Sequence, residues 1–182
     1  PDDIKYVKQT LFLENDELWK ILGYGGYWDF ELIKNVRKNF STIKDVASQN
    51  NLIMKKGLQD NDGDKKDSSN LVGRKILDSE EALDHFYLNE SAYTIFNKDK
   101  IHRPRNPEIY KAPYVLFKKG LDCADYSIRA VYTESDFLYR ETINCIKGSE
   151  KDKKTLLNLC GLLNSSLFSY FNLMMGSSTG IE

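Results

Sequence analysis

The stretch Phe96-Asn97-Lys98-Asp99-Lys100-Ile101-His102-Arg103-Pro104-Arg105-Asn106-Pro107-Glu108-Ile109-Tyr110-Lys111-Ala112-Pro113-Tyr114-Val115-Leu116-Phe117-Lys118-Lys119 sets the reading of everything around it. Seven basic side chains, Lys98, Lys100, Arg103, Arg105, Lys111, Lys118 and Lys119, stand against Asp99 and Glu108. That is a local net charge of +5 in a chain of net charge −1. Pro104, Pro107 and Pro113 remove three backbone donors and hold the residues before them extended, so the basic part cannot be a continuous helix. It reads as a stiff, exposed arm. Tyr114 to Phe117 follow the last proline directly as four large apolar residues of high strand tendency, and they read as a buried strand. A cationic arm rooted in a sheet presents guanidinium and ammonium groups to a polyanion; the alternative is a solvated loop with ordinary surface charge.

Working outward, 182 residues with 41% hydrophobic content suit one substantial core. No apolar run approaches the roughly 20 residues that cross a bilayer. The chain begins at Pro1 with no charged-then-apolar leader, and it reads as a piece of a longer one. Cys123, Cys145 and Cys160 are odd in number and match neither a paired metal motif nor a disulfide framework, so they read as reduced thiols of a cytoplasmic protein. The near-neutral net charge excludes a uniformly basic DNA-binding domain and leaves only local patches for such a role.

Residues 1–50 read as a helical amino-terminal segment. Asn15 or Asp16 caps a turn carrying Leu18, Trp19, Ile21 and Leu22, which Gly23 ends. Trp28, Leu32, Ile33, Val36 and Phe40 then share one face of a second helix, with Lys34, Arg37 and Lys38 towards a face that is either solvated or set against phosphates. Residues 51–182 read as a sheet-centred unit packed with that segment. Leu52-Ile53-Met54 is a short strand leading to Lys55-Lys56-Gly57, and Gln59 to Asn70 is a long polar loop. Asp60-Asn61-Asp62-Gly63-Asp64 resembles part of a calcium loop but lacks the closing bidentate acid, so it reads as a hairpin tip or mobile loop. Ser79 caps a short helix at Glu80-Glu81, and Phe86–Leu88, Tyr93–Phe96, Ser127–Thr133 and Glu141–Lys147 read as strands. Ser149 caps the first of two strongly apolar helices, Leu156–Leu163 and Leu167–Met174, both expected to pack on the sheet. Gly176 to Gly180 is a glycine-rich loop without the Lys of a phosphate-binding loop. The expected fold class is α+β: a helical amino-terminal segment, a central mixed or antiparallel sheet, and two apolar carboxyl-terminal helices.

The sequence offers no catalytic, cofactor-binding or metal-ligating set. It holds no Gly-x-Ser-x-Gly elbow and no His-Glu-x-x-His. His85, placed at a helix end, and His102, in the arm, have no evident acid or thiol partner. Asp64-Lys65-Lys66 and Asp152-Lys153-Lys154 echo an acid-and-lysine pattern of metal nucleases, but without an upstream acid on a strand.

Several pieces in order resemble a known family: Leu18-Trp19-Lys20-Ile21-Leu22 with Gly23 to Gly26 and Asp29-Phe30; the Lys56-Gly57-Leu58-Gln59 corner; Leu71-Val72-Gly73 with Ile76-Leu77. Arg103-Pro104-Arg105 with Glu108-Ile109-Tyr110, Ala112-Pro113-Tyr114-Val115-Leu116, and Leu162-Leu163-Asn164-Ser165 with Tyr170 and Gly176 to Gly180 continue the series. From about Leu18 to its end the chain is similar to the carboxyl-terminal specificity domain of TaqI-like adenine-specific DNA methyltransferases. The resemblance implies a target-recognition domain of a methyltransferase or a fused restriction-modification enzyme. Its parent would bind S-adenosylmethionine in an amino-terminal catalytic domain carrying an Asn-Pro-Pro-Tyr-type motif. No such motif occurs here, so methyl transfer is not assigned to this chain and no cofactor is expected in it.

The expected partners are double-stranded DNA and the catalytic domain of the same chain, with no membrane. Arg103, Arg105, Lys55, Lys56, Lys118 and Lys119 are the expected DNA contacts, with Gln59 and Asn106 as base readers. An ion pair with Glu108 is the structural alternative for Arg103, and a solvated strand-end pair for Lys118 and Lys119. A reading from another class makes the chain a protein-docking module, with Trp19, Trp28 and the apolar carboxyl-terminal helices as its surface.

Overall fold

The computed structural model describes residues 8–14, 18–61 and 63–175, and the fold is α+β. The Asn15/Asp16 cap and the Gly176–Gly180 loop lie outside the described residues. At the centre is an antiparallel sheet in the order β1 (Ile53–Lys56), β11 (Ile143–Lys147), β8 (Tyr114–Lys118), β9 (Ala130–Thr133). Strand β8 occupies the interior of this sheet, and Tyr114 to Phe117 are buried on both faces, as their unbroken apolar run requires. Burying each of these side chains contributes about 1.5–3 kcal/mol before entropy.

Alternation along the strands gives each face its own core. Tyr114, Leu116, Val131, Ile143 and Cys145 point to one face, where they meet Leu58, Leu71, Ile76, Leu77, Ile101, Tyr110 and Tyr139. That layer contains a three-stranded sheet, β10 (Leu138–Tyr139), β3 (Lys75–Leu77) and β6 (Tyr93–Ile95), in which β10 and β3 run parallel. Val115, Phe117, Ala130 and Ile146 point to the other face, against α5 (Lys153–Leu163) and α4 (Ile43–Gln49). Helix α4 begins at Thr42, whose side chain accepts from Asp45 N while the Asp45 carboxylate accepts from Thr42 N, a reciprocal cap.

A third cluster sits apart from the sheet. Leu18 and Ile21 of α2 (Leu18–Tyr24), Phe30 and Ile33 of α3 (Tyr27–Asn39) and Met174 of α6 (Ser166–Met175) are buried together, with Leu11 and Phe12 of α1 (Gln9–Glu14) against them. Both carboxyl-terminal helices were expected on the sheet. Only α5 lies there. Helix α6 turns away to the amino-terminal helices, and the Tyr170 hydroxyl bonds to Asp29 of α3. Its apolar faces are matched by α2 and α3, which offer a complementary stripe that a saturated sheet face no longer can.

Two short ribbons complete the described residues: β2 (Lys66–Asp67) with β7 (Lys100–Ile101), and β4 (Leu83–Asp84) with β5 (Tyr87–Leu88). His85, expected at a helix end, sits instead in the turn between β4 and β5. Among the described residues no helix is long and apolar enough to cross a membrane.

Candidate nucleic-acid interface

The site is built around the corner where β1 ends. Gly57 leaves the sheet against the backbone of Tyr139 and Arg140; a Cβ there would lie 2.1 Å from one carbonyl oxygen and 2.4 Å from the other. Only glycine fits so close an approach. The chain then buries Leu58, which donates from its N–H to Tyr139 O at 2.9 Å, and it runs on to Gln59. Gln59 and Arg103 exchange both backbone bonds, at 3.0 and 2.9 Å, so the corner and the arm are joined as a two-residue ladder. Arg105 closes the joint by donating from Nε to Gly57 O at 3.1 Å. Five of the expected DNA-binding residues, Lys55, Lys56, Gln59, Arg103 and Arg105, are therefore neighbours. Lys55, Lys56 and Arg103 are exposed and have no acidic partner among the described residues.

Strand geometry separates the two lysines. Lys55 lies opposite Cys145 and shares its face, the side on which the arm's core is built, whereas Lys56 lies opposite Asn144 and faces the helix side. Of the pair, Lys55 is on the arm's side of the sheet. Both also guard an open sheet edge, since charged side chains there discourage further strand pairing.

The arm is less exposed than its composition suggests. Ile101, Ile109 and Tyr110 are buried, and Pro107–Tyr110 form a turn of 3₁₀ helix. The Tyr110 hydroxyl donates to Pro104 O at 3.0 Å, and the Tyr139 hydroxyl donates to Ile109 O at 3.1 Å. Burial pushes both phenols well above their ordinary range. Apolar side chains between the prolines thus insert into the core and leave the polar and charged ones outside. Asn106 is used locally, its side-chain carbonyl accepting from Glu108 N at 3.0 Å as the cap of that turn. Glu108 pairs with Lys111 at 2.8 Å and not with Arg103.

A single acid fastens the polar loop to the arm. Asp60, with only 7% of its side chain exposed, pairs with Lys65 at 3.2 Å, with Lys98, and with Arg140 at 3.8 Å. Bonds from Lys98 and Lys65 hold its carboxyl below the usual carboxylate range against the opposing cost of burial. Arg140 also bonds Asp78 at 2.8 Å. Asp60, the first acid of the stretch resembling a calcium loop, is thus occupied by cations of this chain. Among the described residues no cluster of acids, histidines and cysteines is arranged for a metal.

No family model matches the chain, and no curated protein matches it.

The remaining expected DNA-binding residues fall elsewhere. Lys118 lies at the end of β8, about 10 Å across the sheet from β1 at ordinary strand spacing. It is spent on Asp122, at 3.0 Å and 13% exposed. Its neighbour Lys119 is half-buried beside it. Arg129 draws in Asp84 at 2.6 Å, Asp125 at 3.0 Å and Asp122 at 3.7 Å, so this end of the sheet is acidic around its cations. His102 stays in the arm, half-buried, with Nδ1 3.3 Å from Asp64 O.

Sequence reasoning missed the surroundings of His85. Its Nδ1 lies 2.8 Å from Asn164 Oδ1 and its Nε2 3.1 Å from Ser127 Oγ. Asn164 Nδ2 donates to Ala130 O and Cys160 O, and Oδ1 accepts from Ala130 N, which fixes the amide's orientation. Ser127 gives its hydroxyl proton to Asp125 at 2.6 Å, so Oγ is not poised as a nucleophile, and the set fastens the β4–β5 turn to β9 and α5. The only sequence signal for it was an Asn ending an apolar helix.

Proposed function

We propose that the chain is a sequence-specific DNA target-recognition domain of an adenine-specific DNA methyltransferase or fused restriction-modification enzyme. It would hold the duplex for a catalytic domain that binds S-adenosylmethionine and works in the cytoplasm. The observation that carries this reading is the Gln59–Arg103 ladder, which gathers Lys55, Arg103 and Arg105 at one corner without acidic partners among the described residues. Unneutralised cations on a rigid backbone suit phosphates, which supply affinity and fix register, while base edges supply sequence information. The order of motifs that resembles TaqI-like specificity domains supports the same class. A catalytic neighbour that extrudes adenine from the stack needs such a clamp on the flanking duplex.

The test is a salt series of duplex binding by fluorescence anisotropy. The Lys55→Ala, Arg103→Ala, Arg105→Ala triple variant is expected to reduce the slope of log affinity against log salt by roughly 2, about 0.9 for each phosphate that Lys55 and Arg103 no longer neutralise. Duplex affinity that is flat with salt, or a slope that the triple variant leaves unchanged, would overturn the reading.

One observation favours the docking reading. Trp28 is 82% exposed, Leu13 78%, Phe40 72% and Trp19 68%, all on the helices α1 to α3 and the residue ending α3. Exposed apolar side chains of this size suit another domain or subunit of the parent enzyme. Under that reading the parent's assembly weakens in a Trp19→Ser, Trp28→Ser variant and is insensitive to salt.

A further inference from the structure

We infer that Arg105 is the residue of this corner that reads a base, a guanine, while Arg103 and Lys55 hold phosphates. The inference rests on the DNA-binding reading above and divides the labour within it.

Arg105 has φ +65°, a left-handed conformation that costs a bulky side chain about 1–2 kcal/mol and persists only where the surroundings impose it. Both neighbours impose it. Pro104 has a fixed φ and its carbonyl is held by the Tyr110 hydroxyl, and Asn106 is committed as the cap of the following turn. The consequence is a side chain directed back onto the corner, where Nε donates to Gly57 O. That oxygen belongs to the residue whose backbone is wedged against Tyr139 and Arg140, so the anchor is rigid.

A guanidinium has five N–H donors in one plane. The anchor uses the one on Nε. The Nη1 and Nη2 groups make no hydrogen bond or ion pair with another residue among the described residues, and the residue is partly exposed. What remains is a planar two-nitrogen fork, already fixed in rotamer and aim. This is the donor pattern that matches O6 and N7 of guanine in the major groove. Ordering the fork beforehand removes the entropy cost that a free arginine meets on binding.

The other cations lack these features. Arg103 is locked only through its backbone and its exposed side chain has no anchor, and Lys55 presents a point charge that suits a phosphate from many directions. Asn106 is occupied by Glu108 N.

The experiment selects bound duplexes from a randomised library with the wild-type protein, an Arg105→Lys variant and an Arg103→Lys variant, each checked by thermal melting. Wild type is expected to enrich a guanine at one position by roughly tenfold or more. Arg105→Lys keeps the charge but not the fork. It is expected to lose preference at that one position, to under about threefold, while other positions and bulk affinity for unselected duplex stay within about twofold. Arg103→Lys should leave the preference intact. Unchanged guanine preference in Arg105→Lys, or an equal loss at every position with a lowered melting temperature, overturns the inference and leaves DNA binding standing. A wild-type protein that retains no duplex overturns both.

Discussion

Replacing Asp60 by Asn sets two physical effects against each other with opposite signs. Asp60 is an acid beside a cationic surface, so simple electrostatics says that removing its charge should tighten binding of a polyanion. The structure says otherwise. Asp60 joins Lys65 of the polar loop, Lys98 at the start of the arm and Arg140 beyond β10 in one ion-pair network. Hydrogen bonds to a charged group contribute roughly 1.5–3 kcal/mol each where they are shielded. Lys98 and Lys65 are 52% and 42% exposed and regain water when released, and Arg140 keeps Asp78, so most of that is recovered. A net loss of about 2 kcal/mol follows. For a chain of this length that corresponds to a fall in melting temperature of about 4–8 °C. The pH dependence has a definite sign. The folded carboxyl titrates below its ordinary value near 3.8, so its stabilising contribution is complete above that value and disappears as pH falls through the lower folded one. The difference in urea-unfolding free energy between wild type and Asp60→Asn should therefore be constant at neutral pH and shrink below about pH 4. Amide exchange should quicken at Ser68, whose N–H bonds Asp99 O, and at Arg103, which bonds Gln59 O. Duplex affinity should fall although a negative charge has gone. Unchanged stability together with tighter duplex binding would refute the fastening role.

Gly57→Ala should destabilise the fold by about 3 kcal/mol, because two backbone carbonyls within 2.4 Å of the added carbon cannot swing aside; urea denaturation measures it. Asn164→Ala should lose about 1–3 kcal/mol by leaving Ala130 N–H without a partner while Ala130 O keeps Phe86 N, and His85→Ala should add less in that background than alone, as a double-mutant cycle would register. Trp28→Ser should leave unfolding free energy within about 0.5 kcal/mol, whereas Phe30→Ala, two residues along and 4% exposed, should lose about 3–5 kcal/mol.

Much of this architecture is legible in local pattern. The run Tyr114 to Phe117 sits in β8, buried on both faces, and β11 falls within the expected strand Glu141–Lys147 and is buried from Ile143 to Ile146. Ser79 caps its short turn through Glu81 N, and the apolar spacing of Leu156, Leu159, Cys160 and Leu163 faces α5 to the sheet. The prolines kept a long helix out of the arm, as their missing donors require. These features depend on residues a few positions apart, and such interactions are written directly in the chain.

The site was legible only as a charge count. Composition located the cations, but Lys118 and Arg105 look alike in sequence, and one is neutralised by Asp122 while the other is anchored to a carbonyl oxygen with its fork open. The partner of each was chosen by segments brought from far along the chain: the corner at Gly57 to the arm at Arg103, Asp60 to Lys98, His85 to Asn164. Helix α6 likewise found its apolar match in α2 and α3 because α5 and α4 had already covered the sheet face. Local periodicity gives the buried side of α5, but on α3 it groups Trp28, Leu32 and Phe40, which are exposed, with the buried Ile33 and passes over the buried Phe30. Which surface meets an apolar side, and which charges remain free afterwards, depends on long-range packing, where competing partners differ by geometry that no spacing encodes.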